Sequence, residues 1–232
     1  MDESYLKRCN TKVTGIDDDK VKFERTILHP NSGGVANDLG TVLWPDGSYG
    51  VSNVVEDRSN GDVIHVLSSP PSFRVGDIVE MRLDWVRRYK LMKLHTAAHI
   101  LSSVMYRRYG ALITGGQIDP EVAKDDYDLE RANRTIYEGA LAEVNAIISR
   151  AIEVKIYYLS RDKALAIPGI VKLAEKMPPE GNELRIVEIP DIDIQADGGP
   201  HVRNISEIGN IVLLRVENKG KARKRVYYKL SE

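Results

Sequence analysis

The sequence predicts an α+β fold, from three changes of pattern along its 232 residues. Roughly the first 85 residues read as short strands separated by turn-forming clusters. Residues 89–109 and 129–150 then carry helical periodicity. The last third returns to strands and ends in a hairpin. This order suggests a small N-terminal barrel or sandwich, followed by an α+β domain with long helices packed on an antiparallel sheet. The boundary is placed near residues 86–90, giving domains 1–88 and 89–232.

Candidate strands in the first part are residues 21–28, 40–44, 49–56, 62–67 and 78–83. The segments between them (HPNSGG, WPDGS, RSNGD, SSPPSFRVGD) are rich in Gly, Pro, Asn, Asp and Ser, the residues that favour turns. In the first helix Leu94, Ala98, Leu101 and Met105 share one face, and Gly110 is a plausible stop. The second helix runs through Ile136, Ala140, Val144, Ile147 and Ile148. A strand over 153–159 and a short helix from Ser160, ending before Pro168, come next. Residues 184–189, 201–206, 210–216 and 223–230 are the last candidate strands, with Asn218-Lys219-Gly220 as the turn of the final hairpin.

Hydrophobic residues make up 42% and charged residues 29% of the chain, so it can bury a core and is not a disordered segment. The net charge of −1 excludes a globally basic nucleic-acid binder and confines any such role to a local patch. That patch is residues 219–232, with six basic side chains against Glu232. The single cysteine, Cys9, permits no intrachain disulfide, as expected of a cytoplasmic protein. No run of about 18 apolar residues is present to span a membrane. The N-terminus lacks the apolar core of a signal peptide.

Two histidines, His95 and His99, lie four apart inside the first helix, one turn apart on the same face. They flank the apolar stripe, where a ligand at a cleft edge belongs, and that spacing can hold a divalent metal. It also suits two partly exposed, hydrogen-bonded histidines. Asp197 and His201 are four apart too, but Gly198, Gly199 and Pro200 between them exclude a regular helix. A tight loop of this kind can aim a carboxylate and an imidazole at one point. An ordinary glycine turn with an incidental histidine has the same sequence.

Residues 95–118 (HTAAHILSSVMYRRYGALITGGQI) resemble the alanyl-tRNA editing proteins of the AlaX type. These are freestanding relatives of the editing domain of alanyl-tRNA synthetase, which also occurs in threonyl-tRNA synthetase. The family pattern is HxxxH, a GGQ-like loop, then CxxxH within a CGGTH-like stretch. It is matched here by His95 and His99, by Gly115-Gly116-Gln117, and by Asp197 and His201 within DGGPH. Residues 29–40 (HPNSGGVANDLG) are similar to the family's glycine-rich motif, with Gly33, Gly34, Asp38 and Gly40 in place. That motif favours the alanyl branch.

The resemblance implies an N-terminal β-barrel before an editing domain, as in medium-length members that act in trans. It implies hydrolysis of tRNA(Ala) mischarged with serine or glycine, at one zinc ion per chain held by His95, His99, Asp197 and His201. Gly115, Gly116, Gln117, Gly33, Gly34 and Thr41 would line the substrate pocket. Thr41, Ser32 and Thr114 are candidates for the contact to a serine hydroxyl. Lys219, Lys221, Arg223, Lys224 and Arg225 would meet tRNA phosphates, with Arg107 and Arg108 adding to them and Tyr227 and Tyr228 available for stacking. The tyrosines suit a hairpin with one ring in the core equally well.

Two positions depart from the family. Asp197 stands where the family has cysteine, a harder ligand than a thiolate. Val35 stands where the motif usually has glutamine, which bears on substrate selectivity. Other readings are a tRNA-binding module with a lost hydrolytic site, a metal-dependent hydrolase of another ester, and a threonyl-type editor.

Overall fold

The computed structural model describes residues 3–57, 59–130, 133–167, 170, 181–220 and 223–231. The chain divides into two compact units, Met1–Leu91 and Met92–Glu232.

The first unit is a closed six-stranded barrel. Its strands are β1 (Arg8–Asp17), β2 (Lys20–Phe23), β3 (Gly40–Trp44), β4 (Gly47–Asp57), β5 (Asp62–Leu67) and β6 (Ile78–Leu83). The order around the barrel is β1-β2-β5-β4-β3-β6, all antiparallel, and closure removes the exposed edges of an open sheet. Val13, Val21, Leu28, Val42, Val54 and Met81 are fully buried inside it. β1 is a strand the sequence reading did not anticipate. Its inward residues are Cys9, Thr11 and Val13, so the apolar alternation is diluted by a hydroxyl. That hydroxyl is satisfied, since Thr11 Oγ1 donates to the Arg25 carbonyl at 2.8 Å. The expected strand over 21–28 is shorter, ending at Phe23.

The glycine-rich segment is a loop between β2 and β3, clamped at its base. The His29 amide donates to Asp38 Oδ2 at 2.6 Å, and the Asp38 amide to the His29 carbonyl at 2.9 Å. Asp38 also holds Arg88, whose Nε lies 2.9 and 3.0 Å from its two oxygens. Arg88 donates further to the carbonyls of Ser4 at 3.0 Å and Ile27 at 2.7 Å. Both side chains of the pair are 0% exposed, so Asp38 is a structural member of the motif. At Gly40 an added Cβ would collide with the Arg82 carbonyl oxygen; only glycine allows β3 and β6 to approach this closely. Val35 is buried, and its amide donates to the Ser32 carbonyl.

Helix α1 (Trp85–Tyr109) starts four residues before the sequence reading puts it. Asp84 Oδ1 accepts the Arg87 amide at 3.1 Å, which satisfies one of the unpaired donors of the first turn. The helix stops at Gly110, which has φ +65° and donates to the Tyr106 carbonyl, as a left-handed C-terminal glycine does.

The second unit continues with β7 (Ile113–Ile118), β8 (Ala123–Tyr127), α2 (Arg134–Ile148), β9 (Lys155–Ser160), α3 (Arg161–Leu165), β10 (Glu183–Ile189), β11 (Asp193–Ala196), β12 (Ile211–Asn218) and β13 (Lys224–Leu230). They form two antiparallel sheets, in the orders β12-β13-β8-β7 and β11-β10-β9. Asn133 caps α2 through the Ile136 amide at 3.0 Å. Asn145 ties that helix to β12 through both the amide and the carbonyl of Ile211, each at 2.9 Å.

Three expectations for this unit are corrected. Gly115-Gly116-Gln117 lie on strand β7 rather than in a loop. β8 and β11 had not been anticipated. The expected strand over 201–206 is replaced by a 3-10 turn over Ile205–Ile208, because the Asn204 side chain accepts the Ser206 amide and so turns the chain. Among the described residues no helix is long and apolar enough to cross a membrane.

Candidate metal centre

α1 presents His95 and His99 one turn apart, and the loop after β11 presents Asp197 and His201. One potential ligand atom from each of the four falls within 4.8 Å of all the others. The three Nε2 atoms face the Asp197 carboxylate, with His95 at 3.5 Å, His99 at 3.8 Å and His201 at 3.2 Å. Bonds of about 2.0–2.1 Å to a tetrahedral zinc put neighbouring ligand atoms roughly 3.4 Å apart. The donor set of three imidazoles and a carboxylate therefore fits zinc in both chemistry and spacing.

The outer contacts of the imidazoles reinforce that fit. His95 Nδ1 lies 3.3 Å from the Pro200 carbonyl, and His99 Nδ1 lies 3.0 Å from Asp193 Oδ2. His201 Nδ1 lies 3.1 Å from Thr96 Oγ1, a hydroxyl whose proton goes to the Met92 carbonyl at 2.9 Å. A carbonyl, a carboxylate and a hydroxyl already donating elsewhere can only accept. Each Nδ1–H is thus directed outward to an acceptor, which leaves Nε2 as the atom that each ring would offer a metal, as second-shell acceptors do for metal-bound histidines. Gln195 Nε2 donates to the same Asp193 oxygen at 3.0 Å, holding that carboxylate on His99.

The loop itself is held from β10. Arg185 Nη1 donates to the carbonyls of Asp197 at 2.8 Å and Gly199 at 3.1 Å. The Gly199 amide donates to Asp197 Oδ1 at 2.6 Å, which fixes the carboxylate rotamer. A Cβ on Gly199 would lie 2.6 Å from His95 Cε1, whereas one on Gly198 would meet nothing within 4 Å. Gly199→Ala is accordingly expected to weaken zinc binding by about 10–100-fold, the range of a displaced outer-shell partner. Gly198→Ala should bind as the parent does. Competition against a chromogenic chelator measures both, and equal affinities would refute the steric account.

Burial and charge act against each other in this centre. Burial pushes the Asp197 carboxyl up, but the charge of His95 and hydrogen bonds with the three histidines hold it well below the usual carboxylate value. Burial lowers the His99 imidazole, and its contacts with Asp193 and Asp197 outweigh this and carry it up to about 9. Burial and the two neighbouring imidazoles press His201 well below its usual value. The side chains of the histidines are 6% exposed or less and that of Asp197 is 19% exposed, so the centre opens on the carboxylate side.

The other expected site residues are distributed between the units. Gly33, Gly34 and Thr41 belong to the barrel unit. Gly115, Gly116 and Gln117 share the second unit with the histidines. Gly116 packs on the buried Asp125, 3.0 Å from its would-be Cβ. Burial pushes the Asp125 carboxyl up to about 7, against a hydrogen bond from Tyr228, and the charge of His99 reaches it.

Much of the C-terminal basic run is paired within the protein. Arg225 grips Asp126 through two nitrogens, at 2.6 and 2.8 Å. Arg223 lies 3.6 Å from Asp126 and Lys219 lies 3.4 Å from Glu217. Lys224 is buried and donates to the Gly220 carbonyl. Lys221 lies outside the described residues. Arg107 and Arg108 both contact Glu143 on α2. Tyr228 is fully buried and donates to Asp125 at 2.9 Å, which removes it as a stacking platform.

Sequence reasoning missed Asp193, Thr96 and Arg185, which position the ligands. A signal for Asp193 was present. Asp193, Gln195 and Asp197 alternate with Ile194 and Ala196, and a period of two puts the polar three on one face.

Residues 184–227, which carry Asp197 and His201, match the family model of the threonyl and alanyl tRNA synthetase second additional domain. That match and the barrel before it define the class: a protein of the tRNA-synthetase editing-domain type. The chain is 49% identical to the alanyl-tRNA editing protein AlaX-M of Saccharolobus solfataricus, over 98% of this chain and 96% of that one. It is 32% identical to the AlaX-M of Methanosarcina barkeri, over 98% and 96%. It is 30% identical to an alanine–tRNA ligase of Saccharolobus islandicus, covering 93% of this chain but 24% of the ligase. The chain belongs to the AlaX-M family of alanyl-tRNA editing proteins.

Proposed function

We propose that this protein is a trans-acting, metal-dependent hydrolase of the cytoplasm that removes serine from mischarged tRNA(Ala), with glycine as the second amino acid it would remove. The carrying observation is the convergence of three inward Nε2 atoms and one carboxylate, in a chain that belongs to the AlaX-M family. His95, His99, Asp197 and His201 would hold one zinc ion. When bound, such an ion polarises a carbonyl and lowers the pKa of water.

The protein's own residues supply placement. Pro200, Asp193 and Thr96 accept from the three Nδ1 atoms and so orient each Nε2 toward the position a metal would take. Asp197 is the most exposed of the four side chains, so the ester that joins the amino acid to the terminal ribose would approach the centre from its side. Gly115, Gly116 and Gln117, in the same unit as the histidines, would line the substrate pocket. A hydroxyl contact to the substrate, with Thr114 the candidate within this unit, would let serine be told from alanine, because a site built to hydrogen-bond a hydroxyl rejects the analogue lacking it.

The test is release of serine from serine-charged tRNA(Ala) by zinc-loaded protein, beside alanine-charged tRNA. Release from the first with the second left intact is the expected result. Folded, zinc-loaded protein that binds tRNA and releases neither amino acid would overturn it, in favour of a tRNA-binding module without hydrolysis.

A further inference from the structure

The four-stranded sheet of the second unit has one covered face and one that is partly exposed. Ala123, Asp125, Tyr127, Val226 and Tyr228 face inward and are 3% exposed or less. The alternate positions face outward: Lys124 on β8, Arg225, Tyr227 and Lys229 on β13, and Arg215 and Glu217 on β12. Strand register brings them together, with Tyr227 opposite Lys124 on one side and Arg215 on the other. Four cations thus share this face with two acids, the partly exposed Glu217 and Asp126, which is buried beneath Arg223 and Arg225. The Arg215 side chain is 62% exposed and Arg223, beside the same face, 50%. The protein as a whole has a net charge of −1, so this concentration of positive charge is local.

We propose that this partly exposed face, centred on Lys124, Arg215 and Lys229, holds the sugar–phosphate backbone of an RNA. The inference rests on the reading of the protein as a tRNA deacylase and names the surface by which the tRNA is held. It moves the contact off the hairpin turn, where Lys219 and Lys224 are occupied by Glu217 and the Gly220 carbonyl, and onto the sheet.

Three observations carry it. Lys124 and Lys229 enter no ion pair among the described residues, and Arg215 has one ion pair there, an exposed one with Glu217 at 2.9 Å, beside its stacking on Tyr227. Such a pair contributes little in water, so a phosphate can compete for the guanidinium. The single aromatic on the face is not available to a base. The Arg215 guanidinium lies 3.9 Å from the Tyr227 ring centroid and that of Arg225 6.0 Å, while the Tyr227 hydroxyl donates to Glu217 at 3.1 Å. Cations without a stacking platform fit backbone contacts, which position an RNA without reading its sequence. Finally, β7 is the edge strand of this sheet. A backbone lying on the face is therefore next to Gly115-Gly116-Gln117, the strand proposed to line the pocket.

The experiment is equilibrium binding of uncharged tRNA(Ala) to zinc-loaded protein across a salt series, so that hydrolysis is not involved. Lys124→Gln with Lys229→Gln is expected to lower the slope of log K against log salt by roughly 1.5 and to weaken binding on the order of 30-fold at 0.1 M salt, from two lost phosphate contacts. The charge reversals Lys124→Glu and Lys229→Glu should weaken it further, and a tRNA of unrelated sequence should respond in the same way. Melting temperature and zinc content, held at parent values, separate lost contacts from misfolding. Parent-like slopes in both double variants would overturn the proposal, as would parent protein that does not bind tRNA at this salt. Binding that meets the prediction without serine release would sink the deacylase reading and leave the surface standing.

Discussion

Asp38→Ala is expected to destabilise the barrel unit by about 3–5 kcal/mol, the cost of stranding one partner of a buried ion pair. Asp38 and Arg88 are both fully buried, so water cannot solvate the guanidinium left behind. The carboxylate also accepts the His29 amide, so the same substitution opens the base of the glycine-rich loop. Asp38→Asn keeps an acceptor for that amide and should fall between the two. Asp38→Ala combined with Arg88→Met should recover part of the loss, because the stranded charge is gone; this non-additivity is what identifies the pair. Both tryptophans, Trp44 and Trp85, lie in the barrel unit, so tryptophan fluorescence during urea unfolding reports on that unit. A shift under about 1 kcal/mol for Asp38→Ala would show that the pair does not hold the loop.

The sequence was legible where local pattern and tertiary structure agree. β3, β5 and β6 lie within the bounds that turn residues and alternation suggest, and α1 ends at Gly110 because a left-handed glycine is a local device. Legibility failed where long-range partners decide the conformation. β7 contains two glycines and β8 two aspartates, residues poor in strands. They pair with each other, and β8 also with β13; the buried Asp125 is satisfied there by Tyr228, 103 residues away, which donates to it. The residues of the candidate metal centre were readable as a group because His95 and His99 are one helical turn apart and the DGGPH loop has few conformations. The groups that orient them come from 94 to 105 residues away, and no spacing rule reaches that far. The basic run shows the converse. Its charge was plain in the sequence, but Asp126, which takes up Arg225, was hidden in a strand that had not been recognised.

Asp197→Ala is expected to abolish measurable deacylation and to weaken zinc binding by more than the roughly 10–100-fold of an outer-shell change. The carboxylate is the group the three Nε2 atoms share, at 3.2 to 3.8 Å, and it is clamped by the Gly199 amide. Without it, three imidazoles converge with no anion to offset the charge of a divalent ion. Asp197→Cys should do the opposite, since a thiolate is a softer donor that zinc favours. The variant should regain the family's cysteine, bind zinc more tightly than the parent, and bind harder divalent ions such as manganese less tightly than the parent. Chelator competition with zinc and with manganese measures this without reference to catalysis. If Asp197→Ala binds zinc as the parent does, Asp197 is a carboxylate beside the metal rather than a ligand. The three histidines would then be the whole protein contribution, leaving the fourth position to water.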